Sequence, residues 1–187
     1  MIIITVMKPT IWRQGKWLYR VSYHEARRRG VPQNFDSKTA FIGICLQLAV
    51  ADELGYCTKI PMGVPDNGVD IQSGSFIVDI KGRWAMDGSY RLWNQNFEKK
   101  LNPDRYNILV FAEGNSREYS MLGWMNLEDV IKIPILKHGQ YAYRTVPLKM
   151  MKPINELITE IHGEESAKKL LLALAELYNG NRSEPNA

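Results

Sequence analysis

The stretch Gly68-Val69-Asp70-Ile71-Gln72-Ser73-Gly74-Ser75-Phe76-Ile77-Val78-Asp79-Ile80-Lys81 constrains the fold more than any other. Two short apolar-rich runs flank a Ser73-Gly74 turn signal, the pattern of a β-hairpin. With Ser73 and Gly74 as the two loop residues, Gln72 faces Ser75, Ile71 faces Phe76 and Asp70 faces Ile77. Side chains alternate along a strand, so Ile77, Asp79 and Lys81 share one face with Asp70. Val69, Ile71, Phe76, Val78 and Ile80 share the other. The hairpin therefore has one core face, and its opposite carries two carboxylates and an ammonium.

In that register Asp79 is the diagonal neighbour of Asp70, with Cα atoms roughly 7–8 Å apart and side chains in mutual reach. Two converging aspartates can grip one hard cation. Mg²⁺ takes one or two protein carboxylates and fills its remaining positions with water and phosphate. Lys81, on the same face, is placed to orient or activate water or to stabilise charge growing on a phosphate. This is chemistry for cutting a phosphodiester. The spacing alone is common, since Asp36-Ser37-Lys38 and Glu98-Lys99-Lys100 share it, and a half-exposed hairpin ordinarily shows charges on its wet face. The setting of Asp79-Ile80-Lys81 singles it out: it ends an apolar strand, and Gly68-Val69-Asp70-Ile71 precedes it.

Over residues 36–125 the chain resembles the PD-(D/E)XK nuclease superfamily, the restriction-endonuclease-like nucleases. There an Asp on one strand and an Asp/Glu-x-Lys on the next bind metal and run hydrolysis. The resemblance implies an α/β fold, with a mixed central β-sheet flanked by α-helices. It implies Asp70, Asp79 and the carbonyl of Ile80 as metal ligands and Lys81 as the residue that positions water. Mg²⁺ is the implied cofactor, with Mn²⁺ as a substitute, and DNA the implied substrate. Family members often add a glutamate from the first helix. Here the aligned turn Leu46-Gln47-Leu48-Ala49-Val50 offers Gln47, with Glu53 the nearest acid on another face. Gln47 is either a site neighbour or a core glutamine bonded to backbone. Pro65-Asp66 matches the literal "PD", but Asp66 precedes Asn67-Gly68, as in an ordinary turn, so Asp70 ranks above it.

The implied activity is that of a Mg²⁺-dependent DNA endonuclease of small phage, mobile-element or restriction type. The alternatives are a structure-specific nuclease resembling junction resolvases and a DNA-binding relative that has lost cutting. The chain contains no Gly-x-x-x-x-Gly-Lys loop and no paired histidines, which argues against P-loop and zinc-hydrolase chemistry.

Beyond Lys81, Arg83, Trp84 and Arg91 interleave arginine with aromatic side chains, as a nucleic-acid surface does. Arg27-Arg28-Arg29 is either a solvated run or a second set of phosphate contacts. The 187 residues carry a formal charge of +4, unevenly spread. Nine basic residues stand against four acidic ones up to residue 60, whereas three stand against six from residue 154 onward. A basic front and acidic tail suit a protein that presents one side to a polyanion. Cys45 and Cys57 have no Cys/His cluster near them, so reduced thiols in a cytoplasmic setting are expected. No segment approaches a membrane span in length, and the Met1–Val6 run lacks the basic start of a signal peptide.

The chain divides into an N-terminal strand or hairpin extension with a basic segment (1–35), a nuclease core (36–150) and a C-terminal helical extension (151–187), all one domain. Residues 2–6 read as a strand, Trp12–Val21 as a second strand bent at Gln14-Gly15, and Ser22–Gly30 as a short helix. A helix capped by Asp36 or Ser37 runs to Gly55, with Ile44, Gln47, Val50, Ala51 and Leu54 on one stripe. Tyr106–Ala112 is continuously apolar, hence a central strand buried on both faces, and Tyr119–Trp124 is the next strand. Asn126–Ile131 starts a short capped helix, and Ile133–Val146 is irregular or strand-like. Pro153 opens a short helix, and Glu164–Asn179 is an amphipathic helix suited to packing or to homodimer contact.

Overall fold

The computed structural model describes residues 4–28, 37–56, 70–84, 89–93, 107–115, 117–139 and 141–180. Its strands are β1 (Ile4–Val6), β2 (Ile71–Ser73), β3 (Phe76–Trp84), β4 (Ser89–Trp93), β5 (Ile108–Gly114), β6 (Glu118–Asn126), β7 (Leu136–His138) and β8 (Tyr141–Pro147). Its α-helices are α1 (Pro9–Arg28), α2 (Ser37–Glu53), α3 (Leu127–Lys132), α4 (Ile154–His162) and α5 (Glu164–Gly180). This is a mixed α/β fold. A five-stranded sheet runs in the order β1-β6-β5-β3-β2, and a three-stranded sheet in the order β4-β8-β7. Within the larger sheet only β3 and β5 are parallel.

The apolar run around Leu109 becomes the middle strand. Ile108 to Ala112 are buried without a break, as a strand covered on both faces requires. Side chains of β3 divide by parity. Val78 and Ile80 join the larger core with Ile108, Val110, Tyr119 and Trp124, and that core also takes in Leu46 and Val50 of α2. Gly82 lies on the same face, since a Cβ there would stand 2.9 Å from Leu46 Cδ1. Leu109 and Phe111 point the other way, into a second core with Leu127 and Val130 of α3 and Val146 of β8. The sheet thus lies between α1, α2, α4 and α5 on one face and α3 with the smaller sheet on the other.

The hairpin differs from the expected register. The loop is Gly74-Ser75, and the pairs are Ser73–Phe76, Gln72–Ile77 and Ile71–Val78. Gly74 has φ +56, the left-handed conformation that a primed two-residue turn demands at its first position. The slip is two residues, so every side chain keeps its expected face. The ladder stops at Ile71–Val78, and Asp70 sends its N–H to the Val78 carbonyl rather than continuing the pairing.

The N-terminal expectation is corrected more deeply. Trp12–Val21 is not a strand: it lies within the single twenty-residue helix α1, which Pro9 opens. Ile11 and Leu18 are buried, and Gly15 packs on Cys45 of α2 so closely that a Cβ would stand 2.5 Å from the sulfur. Trp12 meets Phe41 edge to face at 4.4 Å. The strand expectation arose from the density of aromatic and β-branched residues, and the helical spacing of Ile11, Gly15 and Leu18 prevails over it. β1 is part of the large sheet, paired with β6, so residues 4–28 belong to the main body.

The C-terminal segment is also part of the core. Leu157 and Ile158 of α4 and Ala167 of α5 join the larger cluster, and Lys152 bridges to Trp124 of β6. Expected strand character in residues 133–146 resolves into β7 and β8. Arg144 of β8 lies buried and donates to the carbonyls of Ile131 and Ile133, holding the end of α3 to the smaller sheet. Among the described residues, no helix is long and apolar enough to cross a membrane.

Candidate functional site

Three of the residues singled out by chemistry meet on the β2–β3 hairpin. Asp79 follows the buried Val78 and faces the side of the sheet opposite α2, where its side chain is 4% exposed. Lys81, two residues on and therefore on the same face, places Nζ 2.6 Å from Asp79 Oδ2. Asp70 stands just before β2, and its Oδ2 accepts the backbone N–H of Ile80 at 2.6 Å. The Asp70 N–H in turn donates to the carbonyl of Val78 at 2.9 Å. Beyond Ile71 the carboxylate thus takes the place of the next strand residue, and β2 ends there among the described residues.

This placement fixes the direction of a backbone oxygen. Within a strand a residue's N–H and C=O lie on the same lateral side. The Ile80 N–H points to the β2 edge, where it meets Asp70, so the Ile80 carbonyl points there too. The oxygens gathered at this edge are those of Asp70, Asp79 and Ile80, with the Lys81 ammonium on Asp79.

The strand that carries Asp79 is fixed from its far side by Asn107. Its Oδ1 accepts the Ile77 N–H at 2.9 Å, its Nδ2 donates to the Ser75 carbonyl at 2.7 Å, and its own N–H donates to the Ile77 carbonyl at 3.0 Å. One asparagine thereby joins the hairpin turn to the start of β5. Its position just before an apolar run is the one signal of this role that the sequence carries.

Further along β3, Arg83 sits directly across from Glu113 of β5 in the parallel register, and Nη2 lies 2.9 Å from Oε2. Both side chains are about four-fifths buried, so this arginine is held by a carboxylate within the fold. Asp79, Lys81, Arg83 and Glu113 form a charged row toward the carboxyl ends of the two parallel strands. Ile77, Leu109 and Phe111 fill the apolar end of that face.

The other expected residues stand apart from this row. Gln47 is half-buried on α2, and α2 packs on the opposite face of the sheet through Leu46 and Gly82. Its helix is also buried more widely than a single stripe, with Cys45, Leu46, Leu48, Ala49 and Val50 all inside. Glu53 is 4% exposed on that same far side, where the buried Tyr119 hydroxyl donates to its Oε1. Trp84 ends β3 opposite Gly114. Arg91 on β4 is exposed, with its guanidinium 5.9 Å from the Tyr143 ring centroid. Arg27 and Arg28 lie in the last turn of α1, with Arg28 exposed, whereas Arg29 and Asp66 lie outside the described residues. Among the described residues there is no group of three or more His, Cys, Asp or Glu side chains placed to hold one metal ion.

No family model, no curated protein and no solved structure matches this chain.

Proposed function

We propose that the protein is a Mg²⁺-dependent DNA endonuclease of restriction-endonuclease-like fold, acting at the β2–β3 edge. The observation that carries this reading is the convergence of Asp70, Asp79 and Lys81 on the single residue Ile80 and its immediate neighbours. The donor set is oxygen only, two carboxylates and a backbone carbonyl, which suits a hard cation completed by water and phosphate rather than zinc. Asp70, Asp79 and the Ile80 carbonyl would hold the ion. When bound, it would supply Lewis acidity toward a phosphoryl oxygen and ready ionisation of water.

The chain's own groups do the rest. Asp70 is oriented by the Ile80 amide, so its carboxylate is fixed before any ligand arrives. Asn107 holds the strand that carries Asp79. Lys81 keeps the buried Asp79 charge compensated, and its ammonium is the donor available to a phosphate drawn to this edge. The substrate is DNA, cut at a phosphodiester. A homodimer, with α5 a candidate for the self-contact, and a cytoplasmic location complete the proposal.

A specific observation favours a second reading, a DNA-binding relative that does not cut. Both carboxylates already have donors within the chain, Ile80 N–H for Asp70 and Lys81 for Asp79. The test is incubation of supercoiled plasmid and of a four-way junction with Mg²⁺, Mn²⁺ or EDTA, using wild type, Asp79→Asn and Lys81→Met. Metal-dependent cutting lost in both variants supports the nuclease, and the preferred substrate separates restriction-like from resolvase-like action. DNA binding without cutting, and no metal-induced rise in Tm that depends on Asp79, supports the second reading.

A further inference from the structure

We infer that the outward face of α1 is a docking surface for the phosphate backbone of duplex DNA, separate from the β2–β3 edge. The inference rests on the reading of this chain as a DNA-acting protein. Residues 9–24 of the helix contain Arg13, Lys16, Arg20 and His24 and no Asp or Glu. At about 100° per residue, Arg13, Lys16, Trp17, Arg20 and His24 fall within an arc of roughly 120°. All five are exposed, Trp17 at 54%. Among the described residues none of Arg13, Lys16 and Arg20 is held in an ion pair. A rise of about 1.5 Å per residue spreads Arg13 to Arg20 over about 10 Å, and the exposed Arg28 extends the line to about 22 Å.

The opposite face of the helix identifies the partner. Ile11, Gly15 and Leu18 are spent on α2, so no apolar stripe is left to insert into lipid, as a membrane-surface helix requires. What remains outward is a line of cations, of which Arg13, Lys16 and Arg20 stand outside the ion pairs of the described residues, with an indole among them. Duplex DNA offers a matching line, one negative charge per about 1.7 Å of axis. Trp17 adds apolar contact against the sugar–phosphate edge.

Anisotropy of a labelled duplex of about 25 base pairs, titrated in EDTA over a salt series, tests this without cleavage. The triple variant Arg13→Gln/Lys16→Gln/Arg20→Gln is expected to weaken binding at least tenfold at 0.1 M salt. It should also flatten the slope of log Kd against log salt by about 2.7, close to 0.9 per lost phosphate contact. Trp17→Ala should weaken binding with the slope unchanged, because it removes no charge. Circular dichroism checks the fold, which exposed substitutions of this kind leave intact. A wild-type slope in the triple variant overturns the inference, as does wild-type protein that binds phosphatidylserine vesicles or an acidic peptide but not the duplex. Duplex binding through α1 without Mg²⁺-dependent plasmid cutting leaves this surface standing and defeats the nuclease reading. Cutting with a salt slope indifferent to α1 does the reverse.

Discussion

Asp70 holds a carboxylate oxygen 2.6 Å from the backbone nitrogen of Ile80, so one side chain is both a structural acceptor and the foremost oxygen of the candidate site. The two roles separate by substitution. Asp70→Asn keeps an acceptor for the Ile80 N–H and removes the charge, whereas Asp70→Ala removes both. In EDTA, urea unfolding should find Asp70→Ala less stable than Asp70→Asn by about 1 kcal/mol, the net worth of a typical hydrogen bond. Both variants should lose metal-dependent cutting. Equal stabilities would mean that the Ile80 contact contributes nothing to the fold.

Lys81 compensates a carboxylate that is almost wholly buried. Lys81→Met leaves Asp79 charged and without its cation, and breaking a buried pair this way costs roughly 3–5 kcal/mol. The lower end applies, because Lys81 is itself 26% exposed. Asp79→Asn/Lys81→Met removes the stranded charge and should recover at least about 1 kcal/mol over Lys81→Met alone. A double-mutant cycle from urea midpoints reads the coupling. A coupling near zero would show that the ammonium does not compensate Asp79.

The hairpin shows what a sequence can carry. Parity of apolar and charged residues survives a two-residue slip in register, so the charged face was legible although the loop was placed one residue early. The contact of Asp70 with the Ile80 N–H was not legible, because it depends on Gly74, rather than Ser73, opening the turn. Central strand β5 was legible from unbroken apolarity, helix α2 from its Gly55 stop, and helix α5 from its amphipathic stripe. Helix α1 was less legible, since Trp12, Trp17, Tyr19 and Val21 favour strands locally against the helical spacing of Ile11, Gly15 and Leu18, and packing against α2 settles the competition. The side of the sheet taken by Gln47 and Glu53 is likewise a tertiary fact. Helical spacing relates residues within α2 and says nothing of which sheet face the helix covers.

The contact between Gly15 and Cys45 sets how closely α1 lies on α2. Gly15→Ala alone should cost about 1–3 kcal/mol, as overpacking a core does, because the new methyl would meet the sulfur at 2.5 Å. With Cys45→Ala the sulfur is gone, and the remaining Cys45 atoms near that methyl stand 3.7 Å away. In that background Gly15→Ala should be neutral or stabilising, since alanine is the better helix former by about 1 kcal/mol. Thermal melts of the four proteins give the sign. A Gly15→Ala penalty unchanged by Cys45→Ala would place the strain elsewhere.

Cys45 also makes a prediction in pH. Its side chain is inaccessible, and burial pushes the thiol from its ordinary 9.0 up to about 12. Well below pH 9 the thiol is neutral in folded and unfolded chains alike, so its full contribution to stability is present. Between pH 9 and 12 the unfolded chain releases the proton while the folded chain keeps it, and stability falls as pH rises. In a Cys57→Ser background, the difference in urea midpoint between the Cys45 protein and its Cys45→Ala partner isolates this effect from the tyrosines and lysines that titrate nearby. The Cys45 protein should lose ground to Cys45→Ala on going from pH 8 to pH 10.5. At pH 8 its thiol should also resist a thiol-reactive dye until urea is added. A pH-independent difference together with rapid labelling of the folded protein would contradict the packing of α1 on α2, and with it the orientation of the basic face that α1 presents.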